Sequence, residues 1–92
     1  MTTFVLIAHD KPGALEIRKA NREAHLAYLA ETGAGTFGGP MLDAEGNMCG
    51  SMLILDLPDM AAAEAWAAGD PYARAGLFAS VEIKGFKQVV GL

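Results

Sequence analysis

Four polar side chains on one side of one helical stretch carry the chemistry in this sequence. The stretch is Arg18 to Leu29, RKANREAHLAYL. At about 100° per residue, Glu16, Lys19, Glu23, Ala27 and Ala30 share one side, which reads as solvent-facing. The opposite side carries Ile17, Arg18, Asn21, Arg22, His25, Tyr28 and Leu29, with His25 near its centre. An unpaired buried polar group costs roughly 1–3 kcal/mol, and a charge costs more. A helix that turns Arg18, Asn21, Arg22 and His25 inward therefore needs polar partners in the core or a wet, anion-friendly pocket beneath it. Histidine suits general acid–base work because its reference pKa lies near neutrality. A lone histidine is more often a core residue satisfied by a carbonyl or a carboxylate. The three polar neighbours shift the balance toward a site.

Asp70 is the second candidate. Followed by Pro71, it has the local signature of a helix N-cap with proline at the first helical position. A cap can still aim a second carboxylate oxygen into a pocket. If that oxygen reaches His25, the two form a base with an orienter, and a hydrogen bond of roughly 2.6–3.2 Å is expected. Tyr72 could donate its hydroxyl, although packing is the simpler account. Gly38-Gly39-Pro40 reads as a bulge or a close backbone approach, and it could also present N–H groups to an oxyanion. Ser51 lies on a strand without a nucleophile-elbow context, so it reads as a hydrogen-bonding residue. His9 and Asp10 fall at a strand end and read as solvated. His9 and His25 are far apart and lack helical i, i+4 spacing, so no metal site is expected. No nucleotide motif is present, and no cofactor is expected.

The elements that must position these residues follow from period and punctuation. Thr3–Ala8 is a strand closed by Pro12-Gly13. A helix runs from about Ala14 to Glu31, with Gly33 as its C-cap. Strands at Gly35–Leu42 and Cys49–Leu57 form a hairpin around the polar turn Asp43–Asn47. Asp59 caps a second helix that runs to Ala68 and stops at Gly69. Asp70-Pro71-Tyr72 starts another turn or two of helix, to about Gly76. The last strand is Ser80–Val90, and its apolar parity changes across Gly85, which suggests a bulge. The order β-α-β-β-α-β is the ferredoxin-like split βαβ pattern, an α+β fold with a four-stranded antiparallel sheet under two helices. Phe4–Ile7 and Met52–Leu55 are apolar on both parities, as in strands covered on both faces. Two helices cover only one face, so a homodimer through the open sheet face is expected.

Composition narrows the function classes. At 92 residues the chain fits one domain spanning 1–92, with a core small enough to benefit from a partner subunit. Hydrophobic residues make up 52% of it, which argues against a disordered chain. No apolar run approaches the roughly 18–20 residues of a membrane span. MTTFVLIAHD lacks a basic n-region and a cleavage pattern, so no signal peptide is expected. The single Cys49 cannot form an internal disulfide, and a reducing cytoplasm is the expected location. The net charge of −4, without a basic cluster outside the first helix, argues against nucleic-acid binding.

LEIRKANREAHLAYL, GGPM, GS, AAEAWAAGDPYARAGL and VEIKGFKQVV together resemble the YciI-like (YCII-related) family. The similarity runs in one order over nearly the whole chain. It implies a ferredoxin-like fold that pairs into a dimeric α+β barrel. It also implies a site built on His25, in REAHL, and Asp70, in GDPY. Arg18, Arg22, Gly39, Pro40, Ser51 and Tyr72 match further recurrent family positions. For Asp70 the resemblance implies a site role in addition to the cap. A few members resemble enzymes of aromatic degradation, including a dehydrochlorinase of a chlorinated hydroxyquinol and, by fold, muconolactone isomerase.

Two functions are therefore expected to compete. In the first, His25 moves a proton on a small, oxygenated, anionic ring compound, Asp70 orients it, and Arg18 or Arg22 holds a carboxylate or phenolate. Elimination or isomerisation, a lyase or isomerase reaction, fits because neither needs a metal or nucleotide. In the second, the chain is a non-catalytic module for a small ligand or a subunit interface.

Overall fold

A computed structural model of the chain describes residues 1–91. Its elements are β1 (Thr2–Asp10), α1 (Leu15–Thr32), β2 (Gly35–Leu42), β3 (Met48–Leu57), α2 (Met60–Gly69), α3 (Pro71–Arg74) and β4 (Phe78–Gly85). The sheet order is β2-β3-β1-β4, and every neighbouring pair is antiparallel. This is the ferredoxin-like α+β arrangement, with one additional short helix before the last strand. Among the described residues no helix is long and apolar enough to cross a membrane.

Alternation along β1 sets the core. Phe4, Leu6 and Ala8 point to the helical side and are buried. They meet Leu53 and Leu55 of β3 and Ala63 and Trp66 of α2, with Tyr28, Leu29 and Ile83 packed around them. The other parity, Val5, Ile7, Met52 and Ile54, is only partly buried and faces away from the helices. Phe37, paired with Ile54, stands 71% exposed on that same open face.

Local chemistry sets the ends of the elements. Gly33 ends α1 in the left-handed conformation (φ 63°), its N–H bonded to Leu29 O at 3.0 Å. Asp59 caps α2 by accepting from Ala62 N at 2.8 Å. Asp43 Oδ1 accepts from the N–H groups of Glu45 and Asn47, both at 2.9 Å, and so closes the β2–β3 turn.

Two expectations are corrected here. The last strand ends at Gly85, not Val90, and no bulge lies at Gly85, which pairs in register with Phe4. Phe86 N bonds Thr3 O at 2.9 Å, and β1 begins one residue earlier. The ladder stops because β1 runs out, and the change of apolar parity marks the chain leaving the sheet. The register shift falls instead between His9 and Asp10, opposite Phe78. On α1, Ile17 is 36% exposed and Asn21 donates to its own helix at Ile17 O, so neither points into the core. The inward stripe is narrower than the helical projection implied.

The fold yields two predictions. Gly38 has φ 150°, and a Cβ there would lie 2.2 Å from Met52 O. Gly38→Ala should destabilise the protein by roughly 1–3 kcal/mol, read as a lower urea midpoint. An unchanged midpoint would contradict the close approach. Both tyrosines of the chain, Tyr28 and Tyr72, have raised pKa values. Burial is the main cause, and the Asp70 charge adds to it; at Tyr72 the Arg18 and Arg22 charges oppose it. Below the ordinary tyrosine value near 10 this stability is fully present. As pH rises through the raised folded values, the unfolded chain ionises first and stability falls. Phenolate absorbance of the native protein should therefore lag behind that of the urea-unfolded chain, and superimposable titrations would refute the burial of these hydroxyls.

Candidate active site

The site begins with the cap of the shortest helix. Asp70 sits before α3 in extended conformation (φ −61°, ψ 128°), with Pro71 at the helix start. Its Oδ1 accepts the Tyr72 backbone N–H at 2.9 Å, which fixes the carboxylate. His25, projecting from α1, places Nδ1 2.8 Å from that same Oδ1. The expected pair is thus made within the expected range, but by one oxygen rather than two. Both side chains are buried, at 7% exposure for His25 and 3% for Asp70. A carboxylate only accepts, so a neutral His25 carries its proton on Nδ1 and leaves the Nε2 lone pair for a ligand.

A second buried pair lies beside the first. Arg18 Nε donates to Asp10 Oδ2 and Nη2 to Asp10 Oδ1, both at 2.8 Å. Nη2 also donates to Ser51 Oγ at 3.0 Å. The Asp10 side chain is only 6% exposed, which corrects its reading as a solvated loop residue. Its parity was the overlooked signal: Phe4, Leu6, Ala8 and Asp10 alternate onto the helical side of β1. Burial pulls the Arg18 pKa down, but the hydrogen bonds and charge of Asp10 outweigh it and leave the value raised. Arg18 thus stays charged and already has its counter-ion. Removing Asp10 would leave a buried unpaired cation, a loss of about 3–5 kcal/mol.

Tyr72 joins the two pairs. Its ring stacks on His25 with centroids 4.0 Å apart and planes 15° apart. The Arg18 Cζ lies 4.8 Å from the same ring centroid. Phe78 meets Tyr72 edge-on at 6.1 Å and supports it from the sheet side.

These groups border a cavity of about 220 Å³. Arg18, His25, Ser51 and Tyr72 are the polar residues of its inner wall, and Leu29 and Leu53 are apolar ones. Gly38, Gly39 and Pro40 on edge strand β2 also line it, with Met48 of β3 and Leu26 of α1, two residues the sequence did not single out. Asp70 is absent from the wall and acts from behind His25. Arg22 also borders the cavity but is exposed, not turned inward as the helical projection implied. Among the described residues it has no ion-pair partner. The free positive charge of the site is therefore Arg22 at the mouth, while the charge of Arg18 is matched by Asp10. Among the described residues no three His, Cys, Asp or Glu side chains converge as metal ligands.

The structure is similar to 5-chloro-2-hydroxyhydroquinone dehydrochlorinase from Burkholderia phenoliruptrix AC1100, solved in complex with 2,5-dihydroxybenzoquinone. The TM-score is 0.87 at 33% identity, over 95% of both chains. An antibiotic biosynthesis monooxygenase structure, at TM-score 0.60 and 15% identity over 97% of this chain and 99% of the other, shares the fold alone. By sequence, an uncharacterized protein of Haemophilus influenzae is 42% identical, over 94% of this chain and 97% of its own length. The protein YciI of Escherichia coli is 38% identical over the same shares. The model of the YCII-related domain matches residues 2–87. With the fold, the match and the relatives in agreement, the chain belongs to the YCII-related family.

Proposed function

We propose that the chain is a small acid–base enzyme acting on a compact, oxygenated, anionic ring compound, by elimination or isomerisation. The observation that carries this reading is the 2.8 Å His25–Asp70 hydrogen bond on the wall of a cavity with room for one ring. An apolar cavity of about 150 Å³ already accepts benzene. Arg22 attracts the anion at the mouth. His25 Nε2 takes a proton from a ligand O–H or C–H, and the freed electron pair enters the ring. In an elimination the leaving group departs with its bonding pair as an anion; in an isomerisation His25 returns the proton at another carbon. Asp70 holds the ring orientation and faces the positive charge that His25 gains. Ser51, Tyr72 and the Gly39 edge complete the ligand contacts. The similarity to a dehydrochlorinase with a hydroxylated ring substrate favours elimination.

A second reading rests on a specific observation. Asp70 Oδ1 also caps α3, so the same bond ties α1 to α3 in a domain that only binds a small ligand. Turnover separates the two. Assayed on small hydroxylated ring compounds, including 5-chloro-2-hydroxyhydroquinone, His25→Ala and Asp70→Asn should each lower kcat by about a hundredfold or more. The double variant should be little worse than either single one, as for residues acting as a unit. Asn caps nearly as well as Asp, so Asp70→Asn should keep most of the stability. Unaltered turnover in both single variants would refute the paired catalytic role, and wild-type protein that binds such rings without converting them would leave the binding module.

We also propose a homodimer through the open sheet face. Val5, Ile7, Met52 and Ile54 form an apolar patch there, and the helices cover the other side. Sedimentation at micromolar concentration should give twice the chain mass; a stable monomer would refute the interface.

A further inference from the structure

Ser51 is buried, at 3% exposure, on the helical side of β3, opposite Ala8 on one flank and Pro40 on the other. Its Oγ accepts from Arg18 Nη2 at 3.0 Å. Guanidinium has donors and no acceptor, so this bond can run in one direction only. Among the described residues Ser51 makes no side-chain hydrogen bond as a donor, and its side chain borders the cavity. The hydroxyl proton is thereby left for whatever the cavity holds. Arg18 cannot turn away to bind a ligand, because two of its N–H groups are held by Asp10 at 2.8 Å each.

We propose that Ser51 is the cavity's hydrogen-bond donor to a phenolate, enolate or carbonyl oxygen of the ligand, and that Arg18, locked by Asp10, forces it into that role. Arg18 and Asp10 are then positioning residues, and Ser51 selects ligands. The wall acquires two opposite polarities. His25 Nε2 accepts a proton, while Ser51 donates to an oxygen that carries negative charge. A ring bearing both an acidic proton and an acceptor oxygen satisfies both, and a ring with hydrocarbon at the Ser51 position leaves the serine proton buried and unpaired. Sites built around a ligand oxygen reject analogues that lack it far more strongly than apolar pockets reject a methylene. This inference rests on the acid–base reading of the cavity, and its test distinguishes failure of the one from failure of the other.

The probe is 4-nitrophenol, whose absorbance reports its own ionisation, with 4-nitroanisole as the ring that cannot ionise. The charged and titratable groups bordering the cavity are Arg18, Arg22, His25 and Tyr72, with Asp10 behind Arg18 and Asp70 behind His25. Wild-type protein should bind the phenolate in preference to the ether and lower the probe's pKa by about one unit or more. Ser51→Ala should abolish most of that shift. Arg18→Lys should do the same with the positive charge retained, because an ammonium cannot hold Asp10 through a planar fork and reach Ser51 together. Ser51→Ala removes one atom and keeps the test available should Arg18→Lys fail to fold. A full shift in Ser51→Ala overturns the proposal, as does a wild-type protein that binds 4-nitrophenol no better than 4-nitroanisole. The acid–base reading is scored separately, by turnover of 5-chloro-2-hydroxyhydroquinone: if Ser51→Ala loses the shift and His25→Ala leaves turnover unaltered, the donor role stands and the acid–base reading falls. If Ser51→Ala keeps the shift and His25→Ala loses turnover, the donor role falls and the acid–base reading stands.

Discussion

One carboxylate oxygen does two things on which the rest of the site depends. Asp70 Oδ1 receives the first N–H of α3 and the imidazole N–H of His25. The backbone bond makes the carboxylate rigid, and the rigid carboxylate makes the imidazole rigid. Neither bond is unusual alone. Their coincidence on one atom means that the four residues of α3 act as a bracket for a side chain on a different helix. The same bracket carries Tyr72, whose ring covers both His25 and Arg18. Tyr72 also packs with Ala14, Leu77 and Phe78, so this short helix is tied into the site by its cap and by its ring.

The second pair complements this by electrostatics. Buried ions are tolerated when they are paired and their remaining hydrogen-bonding groups are met. Arg18 meets this condition twice over, through Asp10 and Ser51. The consequence is a cavity whose floor holds a cation of little net influence and whose mouth holds one without a counter-ion. Under the proposed function, attraction of an anion and its local orientation fall to different arginines. Two arginines on one helix face could not be told apart by type or spacing, since Arg18 and Arg22 lie one turn apart. Burial separates them.

Most of the architecture was legible in the sequence because each element had a local reason to start and stop. Gly33, Asp59 and the Asp43–Asn47 turn act through their own backbone neighbours, so their reading needed no tertiary information. His25 and Asp70 were legible as candidates for the same reason, from helix parity and from an Asp-Pro cap, and family resemblance supplied the link between them. The roles assigned to Gly39, Ser51, Tyr72 and Arg22 rest on that resemblance and on their place around the cavity. What could not be read was long-range pairing. Asp10 looked like a loop residue because β1 extends two residues past its apolar run, and its partner stands on the following helix. The end of β4 depended on where β1 begins, a fact held at the other end of the chain.

The cavity is built of two kinds of wall. On one side His25, Arg18 and Ser51 are held through Asp70 and Asp10, and the Tyr72 ring lies against His25 and Arg18. The rest is Leu26 on α1, Met48 on β3 and the Gly38–Pro40 edge of β2, and among the described residues none of these makes a side-chain hydrogen bond. Leu26, at 49% exposure, can change size without disturbing a single ion pair. Variation at Leu26 or Met48, among related chains or in a designed variant, can therefore alter which ligands enter while the hydrogen-bonded floor keeps its geometry. A lock of this kind accepts a new key by recutting only its opening.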